Sequence, residues 1–289
     1  MMHGRSWFRT LALVLGFAFL YVPIISLVVY SFNESRLVTV WGGFSTKWYG
    51  ALIGNQQILD AAWLSLNVAA VSATVAVVLG TLAGMVLARF GPFRGRTFLS
   101  GMTTAPLVMP EVITGLSLLL LFVTMEQLIG WPAGRGMTTI IIAHITLTMA
   151  YVTVIVQSRL SQMDDSLEEA AQDLGARPAK VFFLVTLPII FPALMSGWLL
   201  AFTLSLDDLV ITSFVAGPGS STLPMVVFSK VRLGVSPDIN ALATILIAIV
   251  AVGVVIAGFS MGRQQKVRDR DAQMALAANQ EMVESMKKA

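Results

Sequence analysis

The sequence predicts an all-α, polytopic membrane protein with six transmembrane helices, and three observations carry that prediction. Of its 289 residues, 56% are hydrophobic and 12% charged, about half the charged share of an ordinary globular domain. The mean hydropathy is +0.80, a value that excludes a soluble enzyme. Six apolar runs are each long enough to cross about 30 Å of hydrocarbon at 1.5 Å per residue. Finally, Lys and Arg are distributed unequally between alternate connecting segments, as membrane orientation requires.

Taken in order, the first run covers 11–32. Arg5 and Arg9 precede it as in a signal peptide, but it is too long for such a core and ends in SFNES without a small-x-small pattern; it reads as an uncleaved span. The second, 61–88, contains Gly80 and Gly84 in a GxxxG spacing that suits close helix packing. The third, 98–125, carries Pro106 and Pro110. The fourth covers 137–158, the fifth 188–213 and the sixth 241–262. Residues 1–262 thus form the expected transmembrane domain, and the polar, helix-prone stretch 263–289 a cytoplasmic tail.

If both ends face the cytoplasm, the inner segments hold 14 of the 19 basic residues. Only Arg36, Lys47, Arg135, Lys230 and Arg232 then lie outside, which is the split the positive-inside rule favours. The longest outer loops are 33–60 and 217–240. Trp41, Trp48, Tyr49 and Trp131 fall near the outer interface, where an aromatic belt is expected. A short helix over 223–233 could meet an external partner protein.

Composition limits the chemistry. There is no cysteine, and His3 and His144 are the only histidines, so disulfides, thiol nucleophiles and a histidine-based metal cluster are ruled out and no metal site is expected. A formal charge of +3 follows from residues at span ends rather than from one basic patch, which argues against a nucleic-acid partner. Membrane lipid is the surface to expect. The nearest Gly/Arg cluster, GPFRGRT at 91–97, lacks the G-x4-G-K-[ST] spacing that cradles phosphates.

One inner loop, 159–188, is unlike the rest. Its SLEEAAQDLGARP stretch is strongly polar in an apolar chain. Ser166 and Glu169 are spaced as a capping box, and Glu168 and Glu169 suit the positive end of a helix dipole. Leu167, Ala170, Ala171 and Leu174 recur at helical spacing, Gly175 can end the helix, and Pro178 can open another. An apolar stretch, 180–184, then leads into the fifth span.

Glu169-Ala170-Ala171, three residues, Gly175, nine residues, Val185, one residue and Leu187-Pro188 resemble the E-A-A-x3-G-x9-I-x-L-P loop of ABC importer permeases. Valine for isoleucine is the only departure. Nearly the whole chain is similar to the polyamine branch of that family, through YSFN at 30–33, APLVMPEVITG at 105–115, LSLDDL at 204–209 and LPM at 223–225. The resemblance implies a MetI-like fold, with Glu169, Ala170, Ala171, Gly175, Leu187 and Pro188 coupling the chain to an ATPase. It also implies partners: a second homologous permease, two copies of a cytoplasmic ATPase subunit that bind the ATP and Mg, and an extracytoplasmic polyamine-binding protein. No cofactor and no enzymatic activity are expected in this chain itself. Putrescine is the first expectation for the cargo, with spermidine or another small cation as the alternative.

Three acids fall inside expected spans, where an ionised side chain costs roughly 3 kcal/mol or more unless it faces a cavity or a partner. Glu111, Asp207 and Asp208 are placed by helical rise toward the outer half. A protonated diamine carries a cation at each end of an apolar stem, so spaced carboxylates would compensate its desolvation, and Phe202 and Phe214 could add aromatic faces. The structural alternatives are specific. Adjacent Asp207 and Asp208 point about 100° apart on a helix, so one could serve as a cap, and Glu111 could satisfy donors freed near Pro110. His144, among Thr146, Thr148 and Tyr151, reads as an interhelical hydrogen-bonder. A different functional class, a proton-coupled secondary carrier using the same acids, remains open on the acids alone; the coupling-loop pattern argues against it, and against a mere membrane anchor.

Overall fold

The computed structural model describes residues 4–37, 40–234 and 237–252, and every regular element among them is helical. Five helices there are long and apolar enough to span a bilayer: Trp7–Tyr30, Gln56–Arg89, Glu111–Ile129, Met137–Ser161 and Pro178–Asp207. Two compact units divide the chain, one of Met1–Gly54 with Val235–Ala289, the other Asn55–Gly234.

In the first unit, α1 (Gly4–Tyr30) is apolar all round, and no residue of its membrane-length window is buried. Phe19 is 81% exposed and Leu20 61%, which water would penalise on every face and lipid tails do not. The chain then turns back around Asn33, which is fully buried. Its Oδ1 accepts from the Gly42 N–H at 2.8 Å and the Ser35 N–H at 3.1 Å, and its Nδ2 donates to the Val40 carbonyl at 2.8 Å. The Trp48 indole donates to the Asn33 carbonyl at 2.7 Å, and the Ser31 and Tyr49 hydroxyls meet at 2.7 Å. Trp48 and Tyr49 thus clasp the loop, rather than simply floating at an interface. A short α2 (Lys47–Ile53) follows. Near the other end, α12 (Pro237–Val252) is helical and apolar; the rest of the expected sixth span, 253–262, and the tail 263–289 lie outside the described residues.

Asn33→Ala strips both an acceptor and a donor from a buried site, leaving backbone groups unpaired. It is expected to cost about 2 kcal/mol and to lower the thermal unfolding midpoint of the detergent-purified protein. An unchanged midpoint would mean that the loop is ordered by other contacts.

The second unit is built on α3 (Gln56–Arg89) and α6 (Met137–Ser161). The GxxxG glycines let them approach: a Cβ on Gly80 would lie 2.8 Å from Val152 Cβ, and one on Gly84 3.0 Å from Val156 Cγ1. Such closeness excludes any larger residue without a shift of the helices. Along the second half of α6, Val152, Val156 and Leu160 pack with Ile190, Leu194 and Ala201 of α9 (Leu187–Asp207). Along its first half, Ile140, Ala143 and Leu147 pack with Leu118 and Phe122 of α5 (Glu111–Ile129) and with Ile211 and Val215 of α10 (Val210–Val215). The final helix of this unit, α11 (Leu223–Leu233), matches the short helix expected there; its first N–H, at Leu223, bonds Ser65 Oγ at 2.8 Å.

Two expected spans are broken. The third is α4 (Arg96–Val108) followed by α5, with Met109 and Pro110 extended between them. Pro110 has no N–H and its ring conflicts with the carbonyl four residues back, while the residue before a proline is driven from the α region. The fifth begins earlier than expected, at Pro178, and ends at Asp207; Asp208 is extended before α10 starts.

Candidate functional site

Two constellations stand out, at opposite ends of α9. The first is α7 (Ser166–Asp173). Its start differs from the expected capping box: Asp165 occupies the N-cap, and the Ser166 N–H is taken by Asp164 Oδ1 at 3.0 Å. In a capping box the Glu169 side chain would accept from that N–H, but the Asp164 carboxylate, only two residues back, takes it instead. Those Ser166 bonds, from the N–H first and then the hydroxyl, hold the Asp164 carboxyl below its ordinary value.

The end of α7 follows the expectation at Gly175, whose φ is +83°. The Gly175 N–H bonds the Gln172 carbonyl at 2.8 Å and the Ala176 N–H the Ala171 carbonyl at 3.1 Å, the paired closure of a Schellman motif. Arg177 is then extended and Pro178 opens α8 (Pro178–Val181) at its first position. A π-helical turn, Phe182–Thr186, joins α8 to α9, with the Leu187 N–H reaching the Phe182 carbonyl. The extra residue in this turn shifts the carbonyl ladder just before Pro188, which has no N–H to offer.

Glu169, Ala170 and Gly175 are exposed, Ala171 and Leu187 are half-buried, and Pro188 is exposed. Leu174 is 90% exposed and Leu167 47%, so α7 offers small and apolar side chains with outward carboxylates at Glu169 and Asp173. Glu168, by contrast, is turned inward. Thr186 Oγ1 donates to Glu168 Oε1 at 2.6 Å, and Arg89 Nε lies 3.2 Å from Glu168 Oε2. Arg89 also pairs with Asp165. Sequence reasoning missed Arg89 and Glu168 as partners because 79 residues separate them and no local pattern links them.

At the far end of α9, the break separates the adjacent aspartates. Asp208 is buried and caps α10: Oδ2 accepts from the Thr212 N–H at 2.8 Å and hydroxyl at 2.6 Å, and Oδ1 from the Ile211 N–H at 3.3 Å. His144 Nε2 lies 3.2 Å from the same Oδ2 and 2.9 Å from Thr212 Oγ1, while its Nδ1 meets Ser205 Oγ at 2.6 Å. His144 therefore ties α6 to both sides of the break. Asp207 is exposed and forms no ion pair among the described residues.

Glu111 opens α5, is exposed, and caps no N–H there. A Cβ on Gly115 would lie 3.3 Å from Ile211 Cα and 2.7 Å from a Phe214 ring carbon, so α5 and α10 touch at these residues. Leu118 and Phe122 share one core cluster with Ile211 and Val215. Phe202, stacked on Trp198 with centroids 5.2 Å apart, belongs to the packing around α9. An open groove of about 360 Å³, lined by Asp60, Trp63, Leu64, Asn67 and Met137, adds a carboxylate and an indole that the sequence did not single out.

Comparison with known proteins agrees with this architecture. Residues 76–267 match the family described as binding-protein-dependent transport system inner membrane component. The chain is 60% identical over 271 residues to the putrescine transport system permease protein PotI of Escherichia coli (strain K12), covering 94% of this chain and 96% of that protein. It is 43% identical over 239 residues to the spermidine/putrescine transport system permease protein PotC of the same strain, covering 83% and 88% respectively. Among solved structures, a bacterial ABC transporter that imports alginate shares the fold, with a TM-score of 0.67 at 17% identity over 89% of this chain and 96% of that one. This chain belongs to the family of binding-protein-dependent transport system inner membrane components, and its fold is the all-α, MetI-like fold of ABC importer permeases.

Proposed function

We propose that the chain is one permease of an ATP-driven importer of putrescine, lying in the inner membrane with both termini in the cytoplasm. The observation that carries this reading is 60% identity to a putrescine permease across nearly the whole of both chains. The outward presentation of Glu169, Ala170 and Gly175 on a short helix beside the membrane spans supports a docking role for α7. A second permease completes the pathway, an extracytoplasmic binding protein delivers the cargo, and two copies of an ATPase bind ATP and Mg beneath it. Leu187 and Pro188 start the helix through which the docked loop acts. Spermidine is the second reading, favoured by the 43% identity to a spermidine/putrescine permease.

Within this reading, Asp207 and Glu111 meet the ammonium groups, since both are exposed and each stands beside a break in its span. Asp208 works from behind, fixing the break that turns Asp207 outward.

Vesicles containing the complete complex are expected to accumulate putrescine only with ATP, the ATPase and the binding protein all present, and to continue in the presence of an uncoupler. Omission of any one component is expected to lower uptake at least about tenfold, or roughly 1.4 kcal/mol in barrier terms. Uptake that needs no ATP and collapses with the uncoupler would replace this reading with a proton-coupled carrier. Competition by unlabelled spermidine orders the two polyamines.

A further inference from the structure

We propose that Arg89, Glu168 and Thr186 form the mechanical link through which movement of α7 reaches the membrane spans. This rests on the reading of α7 as the ATPase-docking helix. None of the eight residues of α7 is buried, so apolar packing does not hold it to the bundle, and its polar contacts must. Those contacts converge on one residue. Glu168 meets Arg89, the last residue of α3, and Thr186, at the end of the π-helical turn that runs into α9.

Successive side chains on a helix diverge by about 100°. One turn of α7 can therefore offer Glu169 to a partner while Glu168 grips the bundle. The grip is stiff because it is largely dry: the Arg89 side chain is 16% exposed and that of Glu168 18%. Exposed pairs yield easily, whereas separating a buried pair strands a charge. Asp165, 69% exposed, adds a second carboxylate to the same guanidinium. Arg89 Nε and Nη2 are buried with no hydrogen-bond partner, so Nε meets Glu168 as an ion pair rather than a hydrogen bond, and these two carboxylates balance that cation. Pulling Glu168 thus pulls α3, packed on α6 through Gly80 and Gly84, and α9, which ends at Asp207. Both routes lead from the docking helix toward the acids, and neither passes through Glu169.

The test uses the complete complex in vesicles and reads putrescine imported per ATP hydrolysed. Arg89→Gln and Glu168→Gln are each expected to lower that ratio about tenfold while ATP hydrolysis continues. The double variant, which removes both charges, should fall no more than about threefold below either single one, since the two changes break the same contact. Arg89→Lys should recover several-fold over Arg89→Gln, because it keeps the charge. Thr186→Val, isosteric and neutral, is expected to lower the ratio about threefold and guards against misfolding of the charge variants. Glu169→Gln should instead reduce ATP hydrolysis stimulated by the loaded binding protein. A normal ratio in both Glu168→Gln and Thr186→Val would overturn the link while leaving ATP-driven import intact. So would fully multiplicative losses in the Arg89 and Glu168 variants. A wild-type complex that imports without ATP would overturn the transport reading and the link together.

Discussion

Gly175→Asp is expected to abolish ATP-coupled import while leaving the protein inserted in the membrane. The position requires a positive φ, +83°, and any side chain there costs about 1 kcal/mol or more. A carboxylate at the negative end of α7 adds about 0.5 kcal/mol of unfavourable dipole interaction. With the paired closure on Gln172 and Ala171 weakened, the loss comes to roughly 2 kcal/mol, or on the order of 30-fold in the population of the properly formed helix. No atom lies within 4 Å of where the new Cβ would stand. The defect is therefore one of conformation and docking, not of packing within this chain. Gly175→Asn, which tolerates the left-handed region, should lose much less than Gly175→Ala. Glu169→Arg should fail similarly by reversing the one outward carboxylate in the first turn. The measurement is ATP hydrolysis stimulated by the loaded binding protein. Normal stimulation in both Gly175→Asp and Glu169→Arg would remove α7 from the coupling role.

What the sequence made legible follows from range. Gly175 and Pro178 act on their own backbone, so the end of α7 and the start of α8 could be placed from residue type. Gly80 and Gly84 mark a close approach, though only the structure names Val152 and Val156 as what they approach. The capping box failed for a local reason too: Asp165 takes the N-cap position and Asp164, just upstream, accepts from the Ser166 N–H that Glu169 would have bonded. Hydropathy located the spans but not their interruptions. Met109–Pro110 and Asp208 are short breaks that a window of about 20 residues averages away. Arg89 was legible as an inner, positive span end and nothing more, because its partners lie far along the chain. His144 was expected to bond between helices, and it does, but its joining of Ser205, Asp208 and Thr212 across a broken helix depends on tertiary packing.

That packing makes the two aspartates expected to respond differently. Asp207→Asn removes an exposed charge without breaking an ion pair among the described residues, and Glu111→Gln does the same at the start of α5. If these carboxylates compensate a passing dication, each change should lower putrescine uptake about tenfold, equivalent to ~1.4 kcal/mol, with an unchanged unfolding midpoint. Asp208→Asn should damage both properties. An amide retains one acceptor oxygen where the carboxylate serves the Ile211 and Thr212 N–H groups, the Thr212 hydroxyl and His144, so a buried donor is stranded at a cost of about 1–3 kcal/mol. Because the chain has no cysteine, Asp207→Cys and Glu111→Cys are uniquely labelled. An impermeant thiol reagent added outside should reach both in the outward-open state and be held off by excess putrescine. Full uptake in Asp207→Asn and Glu111→Gln, with no protection at either cysteine, would make these carboxylates structural and route the cation along other side chains. The groove of Asp60 and Trp63 would then be the next place to look, since a carboxylate and an indole on one helix face can still pair a cation with an aromatic surface.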